Sequence, residues 1–176
     1  MNQQTVDEEI DAAIAARSGE SRFVLAPRTA WLDSFEKDLP FRLPPSYRSL
    51  LLRYRFPSFE ASGVSLFGNL DGKAADEFVV AAVKDPIISS VTRRSGFIQI
   101  GRPASGAYDP ICFDLRSRSK TGEAAIVRLD HEEILIANSI RIVATAADSF
   151  LDLLASGKPP NKPLKLSVGR GRPLAA

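Results

Sequence analysis

One cysteine, one histidine, one tryptophan and one methionine in 176 residues place several classes of protein out of reach. A lone Cys112 closes no internal disulfide. Together with the lone His131 it falls short of the four Cys or His ligands of a structural zinc site. Long hydrophobic runs are missing too: the longest uncharged apolar stretches, around residues 78–83 and 134–140, are far from the roughly 20 residues that cross a bilayer. The first 20 residues carry Asp7, Glu8, Glu9 and Asp11 and no apolar segment of secretory length. No targeting peptide and no membrane association are therefore expected, and the expected compartment is the cytoplasm.

What is present suffices for one folded domain. With 44% hydrophobic residues, a chain of about 150 residues buries roughly 70% of its unfolded surface and needs no covalent staple. The net charge of +2 is unevenly spread. Five basic residues and no acid follow Gly157, whereas residues 1–157 hold 18 basic and 21 acidic side chains. The reading is a mildly acidic domain over 1–157 and a basic tail over 158–176, whose Pro and Gly content predicts disorder.

Along the chain, Thr5-Val6-Asp7-Glu8 has capping-box spacing and Val6, Ile10, Ala13 and Ile14 follow at helical intervals, predicting a helix that ends near Gly19. A second helix is predicted from Thr29, with Trp31, Phe35 and Leu39 on one face. A third opens at Leu43-Pro44-Pro45-Ser46, carries Tyr47, Leu50, Leu51 and Tyr54, and stops at Pro57. Val64 and Leu66 suggest a short strand. Residues 77–83 fit a helix or a buried strand. Asp85-Pro86 reads as a cap for a helix ending at Ser95-Gly96. Strands are then predicted over 97–100, 111–115, 125–129 and 140–144, with a turn at 120–123. A last helix is predicted with Thr145 to Asp148 as its capping box and Gly157 as its stop. Helices, then strands, then one helix is the order of an α+β domain with a mainly antiparallel sheet.

Catalytic patterns fail one after another. Gly101 to Gly106 has the glycine spacing of a phosphate loop, but Ala107-Tyr108 stand where its Lys and Ser/Thr belong. Cys112 and His131 fall on adjacent predicted strands. Registers that match polarity place Phe113 and Leu115 with Val127 and Leu129, set Asp114 beside Arg128, and turn Cys112 away from His131. The remaining polar cluster is Asp109, Asp114, Asp130, His131, Glu132 and Glu133. It can meet a basic protein partner, serve as acid and base in a hydrolase, hold a cation, or form a solvated strand end. It lacks an ion-binding loop pattern, so no metal or cofactor is expected. The tail could touch phosphates, yet it has no aromatic to stack on bases, and direct nucleic-acid binding is not expected.

Three stretches carry a resemblance to the SUKH superfamily, which contains bacterial immunity proteins and a fungal regulator of cell-wall assembly. Leu43-Pro44-Pro45-Ser46-Tyr47-Arg48-Ser49-Leu50-Leu51 is similar to the family's Leu-Pro helix. Residues 109–115 with 127–132 resemble its central hairpin, and residues 147–154 its closing Ser-Phe-x-x-Leu-Leu helix. Where the family often has an Asn-Gly-Gly turn, this chain reads Arg53-Tyr54-Arg55-Phe56-Pro57. The resemblance spans 39–154. It implies helices packed around a curved sheet, no catalytic residues, and a binding role: typically neutralising a cognate toxin by covering its active site, or, in a regulatory scaffold, docking on cellular proteins. A basic nuclease is the kind of toxin an acidic body would attract.

Overall fold

Alternation of side chains along three central strands decides the architecture, because both faces of those strands are apolar. The computed structural model describes residues 2–17, 23–25, 31–37, 39–70 and 76–155. Six strands form one antiparallel, curled sheet in chain order: β3 (Phe59–Ala61), β4 (Val64–Leu66), β5 (Phe97–Pro103), β6 (Ile111–Arg118), β7 (Ala124–Leu129) and β8 (Ile142–Ala147). The short β1 (Val24–Leu25) and β2 (Tyr54–Arg55) pair separately. Seven helical segments complete the α+β fold among the described residues: α1 (Gln3–Ala15), α2 (Trp31–Lys37), α3 (Pro45–Arg53), α4 (Glu77–Val79), α5 (Ile88–Arg94), α6 (His131–Ala137) and α7 (Phe150–Ala155).

On one face, Ile98 and Ile100 of β5, Ile111, Phe113 and Leu115 of β6, and Ala124 and Ile126 of β7 pack with the buried sides of α1, α2, α3, α4 and α7. Tyr47 stands at the centre of this core, its ring 5.3 Å from Phe78, 5.1 Å from Phe113 and 4.9 Å from Phe150. On the other face Phe97, Cys112, Val127 and Leu129 form a smaller cluster with Val91 of α5 and Ile134 of α6. This two-sided burial overturns the expected register. Cys112 lies opposite Val127 and Phe113 opposite Ile126, so Val127 and Leu129 share a face with Cys112, not with Phe113. Polarity matching assumes one wet face, and this hairpin has none over most of its length.

Several boundaries move for identifiable reasons. The first helix begins three residues earlier than expected: Asn2 accepts from the Gln4 N–H at 3.4 Å, and Thr5 lies inside the helix. Thr145 to Ala147 belong to β8, and the closing helix is capped by Ser149, whose Oγ accepts from the Asp152 N–H at 3.2 Å. Residues 77–83 are helical: α4 runs directly into a π-helical turn over Val80–Lys84, closed by Asp85 N–H to the Val80 carbonyl at 2.9 Å. The helix expected to be capped by Asp85 starts later, at Ile88 with Ile87 as its N-cap, while Asp85 Oδ1 accepts from Ile87 N at 2.9 Å and Ile88 N at 2.6 Å in the turn before it. The departure at 53–57 becomes β2 and the approach to a hairpin whose turn, Ser62-Gly63, has φ of 51° and 77°. Two such residues in sequence match the twist of a two-residue hairpin. The supposed phosphate loop is the end of β5 and a turn. Gly101 is needed there because a Cβ would lie 2.4 Å from the Ser65 carbonyl oxygen of β4. Thr29, Gly19, Gly157 and the tail over 158–176 lie outside the described residues.

Candidate functional site

The end of β7, α6 and the loop leading into β6 bring three of the six candidate residues together. Asp109 precedes β6, Asp130 follows β7, and His131 opens α6. One ligand-type atom from each lies within 4.8 Å of the others. His131 Nδ1 is 2.7 Å from Asp109 Oδ1, which also accepts from the His131 backbone N–H at 3.3 Å. Asp109 Oδ2 is 3.2 Å from Nε of Arg128. That nitrogen makes no aligned hydrogen bond, so the contact is Coulombic. Asp130 Oδ1 accepts from Glu133 N–H at 3.1 Å, and its Oδ2 pairs with Arg141. These bonds, the backbone one first, hold the Asp130 carboxyl below the usual carboxylate range.

The hairpin end expected here is instead a helix N-terminus. Asp130 is the N-cap, Glu132 and Glu133 fill the first turn, and Asn138, with φ 52°, closes the helix in the left-handed region. Asp-x-x-Glu before an apolar run is a capping signature, and acids in the first turn complement the helix dipole. The pattern was therefore legible at 130–133 but masked by the strand preceding it. Two arginines already sit on the two carboxylates, so the trio is internally charge-balanced. It offers a cation only three ligand atoms, with guanidiniums to displace.

Asp114 stands apart, five residues along β6 or about 17 Å at strand rise. Arg116, not Arg128, is its partner, through two bonds of 2.8 and 2.7 Å. Those bonds hold its carboxyl below the usual range. Arg116 in turn covers the Phe97 ring at 4.4 Å. Glu133 accepts from Ser139 Oγ, whereas the exposed Glu132 carboxylate has no partner among the described residues. Cys112 is wholly buried, and burial pushes its thiol well above its ordinary value. It cannot serve His131 as a nucleophile from the interior cluster.

Sequence reasoning missed the apolar half of this face. Ile134 alone of the Ile-Leu-Ile run in α6 is buried, while Leu135 is 53% and Ile136 84% exposed. Leu135 lies one helical turn from His131 and Ile136 one turn from Glu132, so apolar and acidic side chains share the outward surface. Tyr108, 71% exposed, has its ring 6.1 Å from that of His131. A seven-residue helix can bury only one stripe, and a run of three apolar residues was the signal that some must face out.

A curled antiparallel sheet covered by helices carries, at this end, an ion-paired polar cluster beside an exposed apolar ridge. Residues 27–155 match the SMI1 / KNR4 family (SUKH-1), and the chain belongs to that family. The family includes immunity proteins and regulators, is generally non-catalytic, and implies protein partners. No curated protein matches the chain. Among the described residues, no helix is long and apolar enough to cross a membrane.

Proposed function

We propose that this chain is a non-catalytic cytoplasmic immunity protein that neutralises a cognate toxin by covering it, and that α6 with the loop before β6 is the covering face. The exposed ridge of Leu135, Ile136 and Tyr108 beside Asp109, Asp130, His131, Glu132 and Glu133 supports this reading. Apolar residues supply the desolvated centre of an interface, and acids at its margin orient a basic partner such as a nuclease. A patch of about 800 Å² per side is roughly 30 Å across, wide enough for its rim to reach Asp114 on the same side of the sheet.

Asp109 and Asp130 hold α6 in place, so Ile136→Glu and Glu132→Lys are the cleaner probes. Co-expression with the product of the neighbouring reading frame, followed by titration calorimetry, is the test. Ile136→Glu is expected to weaken binding by about 30-fold or more, the loss of a central contact. Glu132→Lys is expected to slow association chiefly at low salt. A complex that forms equally well with both variants rejects this face, and a neighbouring product that never binds rejects immunity in favour of a regulatory scaffold.

A further inference from the structure

α5 and α6 cover the same face of the sheet, with Val91 of one and Ile134 of the other in a single buried cluster. Their C-terminal ends coincide: Nη2 of Arg94, the last residue of α5, donates to the carbonyl of Asn138, the cap of α6, at 3.1 Å. The outward stripe of α6 is Glu132, Leu135 and Ile136, at helical spacing and all exposed. Ile142, 42% exposed, lies on the same side of the sheet, opposite Leu129 of that cluster. Charge is segregated along the stripe. At its start Arg128 and Arg141 offset Asp109 and Asp130, which leaves Glu132 and Glu133 as uncompensated acids. At its end the exposed Arg94 is held by a carbonyl and has no carboxylate partner among the described residues.

A surface that is acidic at one end, apolar in the middle and basic at the other matches itself after a half-turn. Glu132 and Asn138 are equidistant from Leu135, about 4.5 Å to either side at helical rise. A twofold axis at Leu135 therefore sets Glu132 of one copy against Arg94, beside Asn138, of the other, and does so twice. Leu135 and Ile136 of both copies meet between these pairs, and the two helices oppose their dipoles. The geometry points to a second copy of this chain as an occupant of the ridge: the free protein self-associates as a symmetric dimer through antiparallel α6 helices. Three exposed apolar side chains per copy make a small interface, so the dimer is weak, with a Kd of about 10–100 µM. Below about 1 µM the chain is then monomeric and the ridge is open to another protein. Self-pairing competes with capture of a partner but does not depend on one.

The test is sedimentation equilibrium of the full chain alone at low salt, from about 5 to about 200 µM, with circular dichroism confirming that each variant is folded. A monomer–dimer equilibrium is expected, weakened at least about 30-fold by Ile136→Glu because the contact is lost twice. Glu132→Arg and Arg94→Glu should each weaken it at least about tenfold, since either one places like charges across the axis. Together they exchange the two charges and should restore the dimer to within about threefold of the parent. A parent that is monomeric at about 200 µM overturns the inference. So does a double variant no better than the single ones, or a dimer indifferent to Ile136→Glu. No toxin is present in this experiment, so its failure leaves the partner reading to the co-expression test.

Discussion

Glu123 links the turn between β6 and β7 to the start of α3, 77 positions away in sequence, and its removal should cost more than any other single surface-proximal change. The reason lies in the local chemistry of Leu43-Pro44-Pro45-Ser46. Pro44 is the N-cap and has no side-chain acceptor, while Pro45 has no N–H. The first orphan donor of the helix is thus Ser46 N–H, and Glu123 Oε1 accepts it at 2.9 Å while Oε2 accepts from Ser46 Oγ at 2.6 Å. Glu123 is 9% exposed and Ser46 wholly buried, so water cannot replace these bonds without opening the structure. Hydrogen bonds to a charged group contribute about 1.5–3 kcal/mol each, and losing both leaves two buried donors unpaired. Glu123→Ala is therefore expected to destabilise by about 3 kcal/mol, a fall of about 6–12 °C in Tm for a chain this size. Glu123→Gln keeps the shape and one acceptor and should cost about 1 kcal/mol. The turn itself should survive, because Ser119 N–H still donates to the Glu123 carbonyl at 2.9 Å. Urea unfolding monitored by circular dichroism measures all three proteins. A Glu123→Ala variant within about 0.5 kcal/mol of the parent refutes the capping role.

Three further outcomes follow from the packing. Tyr47 is 1% exposed and its hydroxyl has no partner among the described residues, burial pushing its ionisation far up. Tyr47→Phe keeps the ring contacts and should be neutral or stabilising by about 1 kcal/mol in thermal unfolding; a loss of that size would reveal a bonded hydroxyl. Asn138→Ala leaves a β-carbon in the left-handed region but removes the short polar side chain that makes that region tolerable, and should cost about 1 kcal/mol, with Asn138→Gly tolerated, by the same assay. The Asp114 carboxyl is held below its ordinary value of 3.8 by Arg116. Its stabilisation is complete above that value and is lost as the pH falls through the depressed folded value, so Asp114→Asn should flatten the acid limb of the stability profile below about pH 4. An unchanged slope contradicts the pairing.

Most of the fold was legible where one local signal acted alone. The proline-opened α3 and the Gly122 turn with φ 85° both behaved as their chemistry demands. Errors arose where two signals overlapped. Thr145 to Asp148 satisfies a capping pattern, yet Thr145 to Ala147 extend the edge strand beside β7, and pairing took precedence over the cap. Asp130-His131-Glu132-Glu133 carries both a strand's end and a helix's start. Taking it as strand hid α6, and with it the exposed Leu135 and Ile136. The charged part of the candidate face was visible from residue types, but its partners were not, since Arg128 and Arg141 reach the acids only through the observed register and the β7–β8 connection.

The central claim is that α6 and the loop before β6 form the partner-binding face. Hydrogen exchange by mass spectrometry on the complex with the neighbouring gene's product tests it most directly. Slowed exchange is expected across residues 131–142 and the segment around Tyr108 and Asp109, with α1, α7 and the β6–β7 turn unchanged. Protection confined to α1, α7 or that turn, with α6 exchanging as in the free protein, would contradict the account.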